Sequence, residues 1–315
     1  KECMFPNPGY GASFYCHIKL CNVYIIVWEL GIRNWELVNE KKTWKTKMKR
    51  IITLITDFGL KDHYVGAMKG VILSINPDAI ITDITHEIPP QDIFNAAFIL
   101  RNLYHYYPKG TIHIVIVDPG VGGKRKPIAV EADKNIFLGP DNGILTFIYL
   151  ESKSVRVFEI SNSKYTLPKL GSTFDGRDVF APTAAHLSLG VPVDDLGGQV
   201  KKPVKLQIKE PVVRGSEIIG EVIYIDSFGN LITNIPAQLI KPKLRVYIGG
   251  EVIKGISQSY AEVPKGELLA IIGSAGLLEI SVSHGSALDV IETWLGSTKS
   301  KKVKKVKHIP CVIRI

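Results

Sequence analysis

The feature that most restricts this chain is an alternation, between residues 51 and 189, of short β-branched runs with stretches of helical spacing. The runs at 51–56 (IITLIT) and 111–117 (TIHIVIV) are apolar almost throughout, which suits strands covered on both faces. Between them, Val65, Met68, Val71, Ile72 and Ile75 recur at helical intervals and stop at Asn76-Pro77, predicting a helix over 64–75. Further expectations are a short strand at 80–83, a helix at 92–106 with Asp92 as N-cap, a hairpin pairing 127–131 with 135–138, a strand at 155–160 and a helix at 178–189 with Asp178 as its cap. A βαβαβ order of this kind implies an α/β domain with a mainly parallel central sheet.

After Gly190 the pattern changes. Short β-rich runs at 222–225, 231–234, 244–248, 268–272 and 278–282 are separated by turn residues, with almost no helical period. They predict a small C-terminal antiparallel β-barrel or sandwich. The expected organisation is therefore an extension over 1–47, an α/β domain over 48–190, a linker over 191–202, a barrel over 203–295 and a basic tail over 296–315. Met48-Lys-Arg leads straight into the first strand, and Met48 is read as the functional start.

Charge is distributed unevenly. Residues 1–50 hold nine Lys/Arg and four Asp/Glu, and 296–315 hold seven basic residues and no acid; with a total of +9, the body 51–295 is left at −3. A nucleic-acid-binding body needs a basic face, so the acidic body argues against that class, and the lysine-rich end is read as solvated. The most apolar stretch, 15–32, is interrupted by Lys19, Asn22 and Glu29, so no membrane span and no secretory leader is expected, and the expected location is cytoplasmic. Cys3, Cys16, Cys21 and Cys311 form no CxxC pair, which removes a disulfide framework or zinc site from the core.

In parallel α/β sheets, ligand groups gather at the carboxyl ends of strands. Here those ends carry acid-bearing turns: Thr56-Asp57-Phe58-Gly59, Asp118-Pro119-Gly120-Val121-Gly122 with Arg125, Asp141-Asn142-Gly143 and Thr173-Phe174-Asp175-Gly176-Arg177-Asp178. The barrel adds Asp226-Ser227-Phe228-Gly229-Asn230. Each alone is an ordinary turn, and His86-Glu87 reads as a structural loop; their recurrence at successive strand ends makes a candidate pocket. No HExxH, GxSxG or Walker loop is present.

Seven segments, in order, resemble one family: ITDFGLKDHYVGAMKGVI, ITHEIPPQDI, VDPGVGGKRKPIAV, GPDNGILT, TFDGRDVFAPTAAHL, IDSFGNLITNI and GSAGLLEISV. The family is the SAM hydroxide adenosyltransferases, adenosine-forming hydrolases of S-adenosylmethionine (SAM) related to SAM-dependent fluorinases and chlorinases. The resemblance spans about 51–291. It implies the two-domain fold above, hydrolysis of SAM to adenosine and methionine by water attacking the ribose 5′ carbon, no metal or cofactor, and a homotrimer with SAM between one subunit's α/β domain and its neighbour's barrel. It also implies that Asp57 holds the ribose hydroxyls, that Asp226 and Asn230 meet the methionine amino group and adenine edge, and that Tyr260 packs on the adenine. Of the family's Asp–Arg–His set around the attacking water, Asp118 and Arg125 match. Asp175 stands where the histidine is expected.

That departure keeps a SAM- or adenosine-binding protein without turnover among the alternatives. Halogenases of this scaffold carry Tyr and Thr where this chain has Asp118 and Val121, and a carboxylate repels a halide. A calcium-dependent nucleoside hydrolase needs clustered aspartates, and only Asp57 and Asp62 lie together.

Overall fold

Ile51–Thr56 (β1) has one partly exposed residue followed by five buried ones, because both faces of the sheet are covered. Ile52 and Leu54 pack with Met68 and Ile72 of helix α1 (Tyr64–Ile75), while Ile55 points to the other face, among Ala96 and Leu100 of α2 (Ile93–Leu103). In a computed structural model of the chain, residues 50–169, 171–241, 244–297 and 309–314 are described, together with the backbone of Lys19–Leu20 and Val23–Tyr24.

The remaining elements of the first sheet are β2 (Ile80–Thr85), β3 (Ile112–Ile116), β4 (Pro127–Ala132) and β5 (Asn135–Pro140), then helix α3 (Thr146–Glu151) and β6 (Val155–Glu159). Strand order is β2-β1-β3-β5-β4-β6. The pairs β1–β2, β1–β3 and β3–β5 are parallel; β4 pairs antiparallel with both β5 and β6. Helices α1 and α4 (Ala181–Ser188) cover one face, α2 and α3 the other. Asp92 accepts from the Asn95 N–H at 3.0 Å, the cap expected of it. Asp178 does not cap. Gly176–Phe180 form a π turn that runs into α4, and Asp178 sits inside it, paired with Arg177 at 2.7 Å.

The second sheet comprises β7 (Val212–Arg214), β8 (Glu217–Ile225), β9 (Leu231–Pro236), β10 (Arg245–Ile248), β11 (Glu251–Lys254), β12 (Leu268–Ile272), β13 (Leu277–Val282) and β14 (Pro310–Arg314). Its order is β11-β10-β14-β8-β9-β13-β12, with β7 alongside β8, and all these pairs are antiparallel. A bridge from Ser257 to Ile271 brings its two ends together, so the sheet is a nearly closed barrel. The long β8 is irregular between Val222 and Tyr224 in its pairing with β9, and at Gly220 a Cβ would come within 2.4 Å of Ile235 and Asn234. Helix α5 (Ala287–Ser297) places Ala287 and Ile291 in the barrel core.

Two expectations are corrected here. The stretch before 293 holds the helix α5, which the sequence reading lacked. The segment 296–315, expected as a tail, ends in β14, whose Cys311 and Ile313 are fully buried beside Ile248 and Ile218. Residues 298–308, with the lysines of the expected tail, lie outside the described residues.

The chain divides into two units, Lys1–Lys47 and Met48–Ile315. In the first, Lys19–Leu20 pairs antiparallel with Val23–Tyr24; Cys3, Cys16 and Cys21 lie outside the described residues. Among the described residues no helix is long and apolar enough to cross a membrane.

Candidate functional site

The chain leaves β1 through α1 to reach β2 on one side, then crosses through α2 to β3 on the other side of β1. The carboxyl ends of β1 and β3 therefore flank a topological switch point, the place where an open α/β sheet forms a crevice. Thr56 pairs with Ile116, so Asp57 and Asp118 leave the sheet from adjacent strands. They line a cavity of about 350 Å³ with Phe58, Pro90, Gln91, Pro119, Val121, Thr173, Phe174, Asp175 and Gly176.

Three loops build this cavity, each fixed differently. The Thr56 hydroxyl meets His86 Nδ1 at 2.8 Å, His86 Nε2 meets Asp83 Oδ1 at 3.0 Å, and Lys69 donates to Asp83 at 2.5 Å. Burial acts to raise the Asp83 pKa, but bonds from Lys69 and His86 outweigh it and leave the carboxyl below its usual range. This brace ties the loop after β2 to the end of β1, and Gly59 N–H donates to His86 O at 2.8 Å. The loop then presents Gln91, whose backbone N–H donates to Asp57 Oδ2 at 3.0 Å. Gln91 holds φ +66°, a conformation that costs a non-glycine residue energy and that persists where surroundings enforce it.

The second loop folds back at Gly122, φ +76°, where a Cβ would approach Ser172 O to 2.8 Å. It returns Arg125 over Asp118. Arg125 Nη2 donates to Asp118 Oδ2 and, at 2.6 Å, to Asp175 Oδ2. The third loop delivers Asp175 at the start of the π turn, and Lys169 Nζ donates to its Oδ1 at 2.7 Å. The Asp118 and Asp175 side chains are only 6% and 4% exposed, so these bonds form largely out of water. Burial pushes the Asp175 pKa up, yet Lys169 and Arg125 overcome it and hold the carboxyl below its usual range. Arg125 behaves reciprocally: burial disfavours its charge, and the two carboxylates raise its pKa above the ordinary guanidinium value. Asp118 Oδ1 is buried with no hydrogen-bond partner among the described residues.

Phe58 and Phe174 line the cavity, and Tyr64 packs against both, with ring centroids 5.2 to 6.0 Å apart. Aromatic rings beside carboxylate acceptors can take an aromatic base on one side and ribose hydroxyls on the other.

The structure thus brings together Asp57, Asp118, Arg125 and Asp175. It does not bring Asp226, Asn230 and Tyr260 to this cavity, whose lining comes from residues 57–176. Those three share a different region, on the barrel. Asp226 Oδ1 accepts from the N–H groups of Phe228 and Asn230, both at 2.9 Å, and Oδ2 accepts from the Asn230 amide at 2.8 Å. Tyr260 donates to Glu279 Oε1 at 2.8 Å; burial, Glu279 and the charge of Asp226 push its phenol up to about 12. Tyr260 is half exposed and Phe228 protrudes with 75% of its surface free.

Lys169, Gln91 and the Thr56–His86–Asp83 brace were missed by sequence reasoning. Lys169 carries no local signal, whereas His86 lay in a quoted segment and was read as loop structure. A larger cavity of about 580 Å³ lies between α2, α3 and the barrel, but Phe94, Phe98, Phe147, Leu206, Ile208 and Ile223 make it mainly apolar. Of its acids, Glu151 is paired with Arg101 and Glu221 with Lys209.

Comparison with known proteins gives two family-model matches: the SAM hydroxide adenosyltransferase N-terminal domain over residues 52–197 and the C-terminal domain over 220–299. An "(R)-S-adenosyl-L-methionine hydrolase" of Thermus thermophilus is 38% identical over 254 residues, 77% of this chain and 95% of the relative. A crystal structure of an uncharacterized conserved protein from Thermotoga maritima superposes with TM-score 0.75 at 37% identity, covering 84% of this chain and all of that one. More distant is a "Fluorinase" of Nocardia brasiliensis, 27% identical over 75% of this chain and 91% of its own length.

Proposed function

The chain belongs to the SAM hydroxide adenosyltransferase family, and from that premise we propose that it hydrolyses S-adenosyl-L-methionine to adenosine and L-methionine. The observation that carries the proposal is the guanidinium of Arg125 shared between two buried carboxylates, Asp118 and Asp175, in the switch-point cavity that Asp57 also lines.

The chemistry asks little beyond placement. Methionine departs as a neutral thioether, so the leaving group needs neither a proton nor a Lewis acid, and no metal or cofactor enters the proposal. Water must be aligned with the 5′ carbon and sulfur and must lose a proton as it attacks. Asp57, kept in place by the Gln91 N–H, holds the ribose hydroxyls. Asp118 faces the water. A second anion such as fluoride or chloride would meet the Asp118 carboxylate in its path, which favours water over halide.

In this reading the site is completed by a second copy. Asp226, Asn230 and Tyr260 bind the amino-acid and adenine ends of SAM from a neighbouring barrel, within a homotrimer. Support comes from their position away from the cavity and from the exposure of Phe228 and Tyr260. SAM is made and used inside cells, so the cytoplasm is the proposed place of action.

The test is incubation of the protein with each sulfonium epimer of SAM, with chelator and without halide, followed by chromatography. Equimolar adenosine and methionine are expected, from the (R) epimer in particular, given the name of the Thermus relative. A 5′-halogenated nucleoside appearing only with added halide would replace the hydrolase by a halogenase. Saturable SAM binding without product would favour the binding-only reading, which the full engagement of Asp175 keeps in view.

A further inference from the structure

We infer that Lys169 is a positioning residue of this site: it holds Asp175 against Arg125, so that Asp118 alone takes the proton of the attacking water. The inference rests on the hydrolase reading above and deepens it.

Two carboxylates face one cavity, and their four oxygens differ. Asp175 Oδ2 accepts from Arg125 at 2.6 Å and Oδ1 from Lys169 at 2.7 Å, so both are committed. Asp118 Oδ2 accepts from the same Arg125 nitrogen, while its buried Oδ1 has no hydrogen-bond partner among the described residues. Of these two carboxylates, Asp118 is the one with an oxygen left without a partner among the described residues. The charges agree with this division. Two carboxylates against one guanidinium would leave a net negative charge in a nearly water-free place; Lys169 makes the cluster neutral. Arg177, two residues on from Asp175, is bound to Asp178, and Asp57, the third acid of the lining, accepts from the Gln91 N–H.

An aspartate at 175 without such a cation would compete with Asp118 for the same proton. Fixed by two cations, it stays ionised and serves as an anchor for Arg125. In the step itself, the water oxygen bonds to the 5′ carbon as the carbon–sulfur bond breaks and its electron pair goes to sulfur. The water proton passes to Asp118 Oδ1 and leaves to solvent with the products.

The experiment measures kcat and KM for adenosine release across pH in the parent, Lys169→Met and Lys169→Arg proteins, using the SAM epimer the parent cleaves. Lys169 is half exposed, so its removal leaves no buried hole, and thermal melts verify that the variants fold. Lys169→Met is expected to lower kcat about ten- to a hundred-fold with KM little changed. The acid limb of its kcat profile moves to higher pH, because the carboxylate pair has lost a cation. Lys169→Arg restores both. A Lys169→Met protein with the parent's kcat and pH limb, or a Lys169→Arg protein as impaired as Lys169→Met, overturns the role. A parent that releases no adenosine at any pH overturns the hydrolase reading itself, and does so before any variant is measured.

Discussion

Replacing Arg125 by methionine keeps most of the side chain's length and deletes the charge that Asp118 and Asp175 share. Asp175 keeps Lys169, but Asp118, 6% exposed, is left with no cation among the described residues. Removing one member of a buried ion pair costs about 3–5 kcal/mol, because the remaining charge is uncompensated. A second limit comes from protonation: an ordinary carboxylate can be neutralised at pH 7 for about 4 kcal/mol, and at pH 5 for about 1.5 kcal/mol. A buried carboxyl without a counter-charge favours its neutral form. The folded variant thus binds more protons than the unfolded chain, and its deficit grows with pH from the unfolded carboxylate range upward. Arg125→Met should be about 3–4 kcal/mol less stable than the parent at pH 7, and about 1.5 kcal/mol less at pH 5. Paired urea melts at the two pH values measure both gaps. A variant as stable as the parent at pH 7, or a gap that does not shrink on acidification, refutes the idea that Arg125 neutralises a buried carboxylate.

Three further outcomes are expected. His113 is fully buried, with Nδ1 on the Thr53 hydroxyl at 2.8 Å, and burial pushes its pKa down to about 3; the folded imidazole is neutral while the unfolded one protonates below its ordinary value of 6.5. Its contribution is present above pH 6.5 and is lost as pH falls toward 3, with a slope approaching 1.4 kcal/mol per pH unit, and His113→Phe should flatten that acid dependence in melts from pH 4 to 7. His86→Leu removes the brace between Thr56 and Asp83 and loosens the loop that bonds Asp57 through Gln91, so KM for SAM should rise more than kcat falls; unchanged KM would count against the brace. Ending the chain after Ser297 deletes β14 and takes Ile309, Cys311 and Ile313 out of the barrel core, at about 1.5–3 kcal/mol for each isoleucine, which is expected to unfold the barrel; near-native circular dichroism and melting would contradict the placement of that strand.

Much of the fold could be read from the residues because the strands of the α/β domain are buried on both faces. A run such as IITLIT has few other uses, and Asp92 and Asn76-Pro77 mark helix ends by local chemistry. The barrel strands were also visible: 268–272 matches β12 in full, while β8 starts at Glu217, well before the run at 222–225. The C-terminal strand was hidden by charge. Ile309, Cys311 and Ile313 alternate with Pro310, Val312 and Arg314 at the period of a half-buried strand, but the lysines ahead of them dominated the reading. Helix α5 follows directly on β-rich sequence, so its period did not stand out.

The site was legible where strand ends display it. Asp57 and Asp118 come together as a consequence of parallel topology, since adjacent parallel strand ends face one crevice, whereas Arg125 and Asp175 reach it on loops, Asp175 at the start of the π turn and not at a strand end. Lys169 was not legible, because its bond to Asp175 depends on the path of the loop between them and not on any spacing rule. Asp178 was misjudged for a related reason: a side chain next to Arg177 found an ion pair at 2.7 Å more readily than a helix N-terminus.

The most direct measurement of the central claim is hydrolysis of SAM in water enriched in oxygen-18, with mass spectrometry of both products. If the Asp118–Arg125–Asp175 cluster directs water at the ribose 5′ carbon, one label atom appears in the 5′-hydroxyl of adenosine and none in methionine. Adenosine formed without label, or label recovered in the amino-acid product, would contradict it.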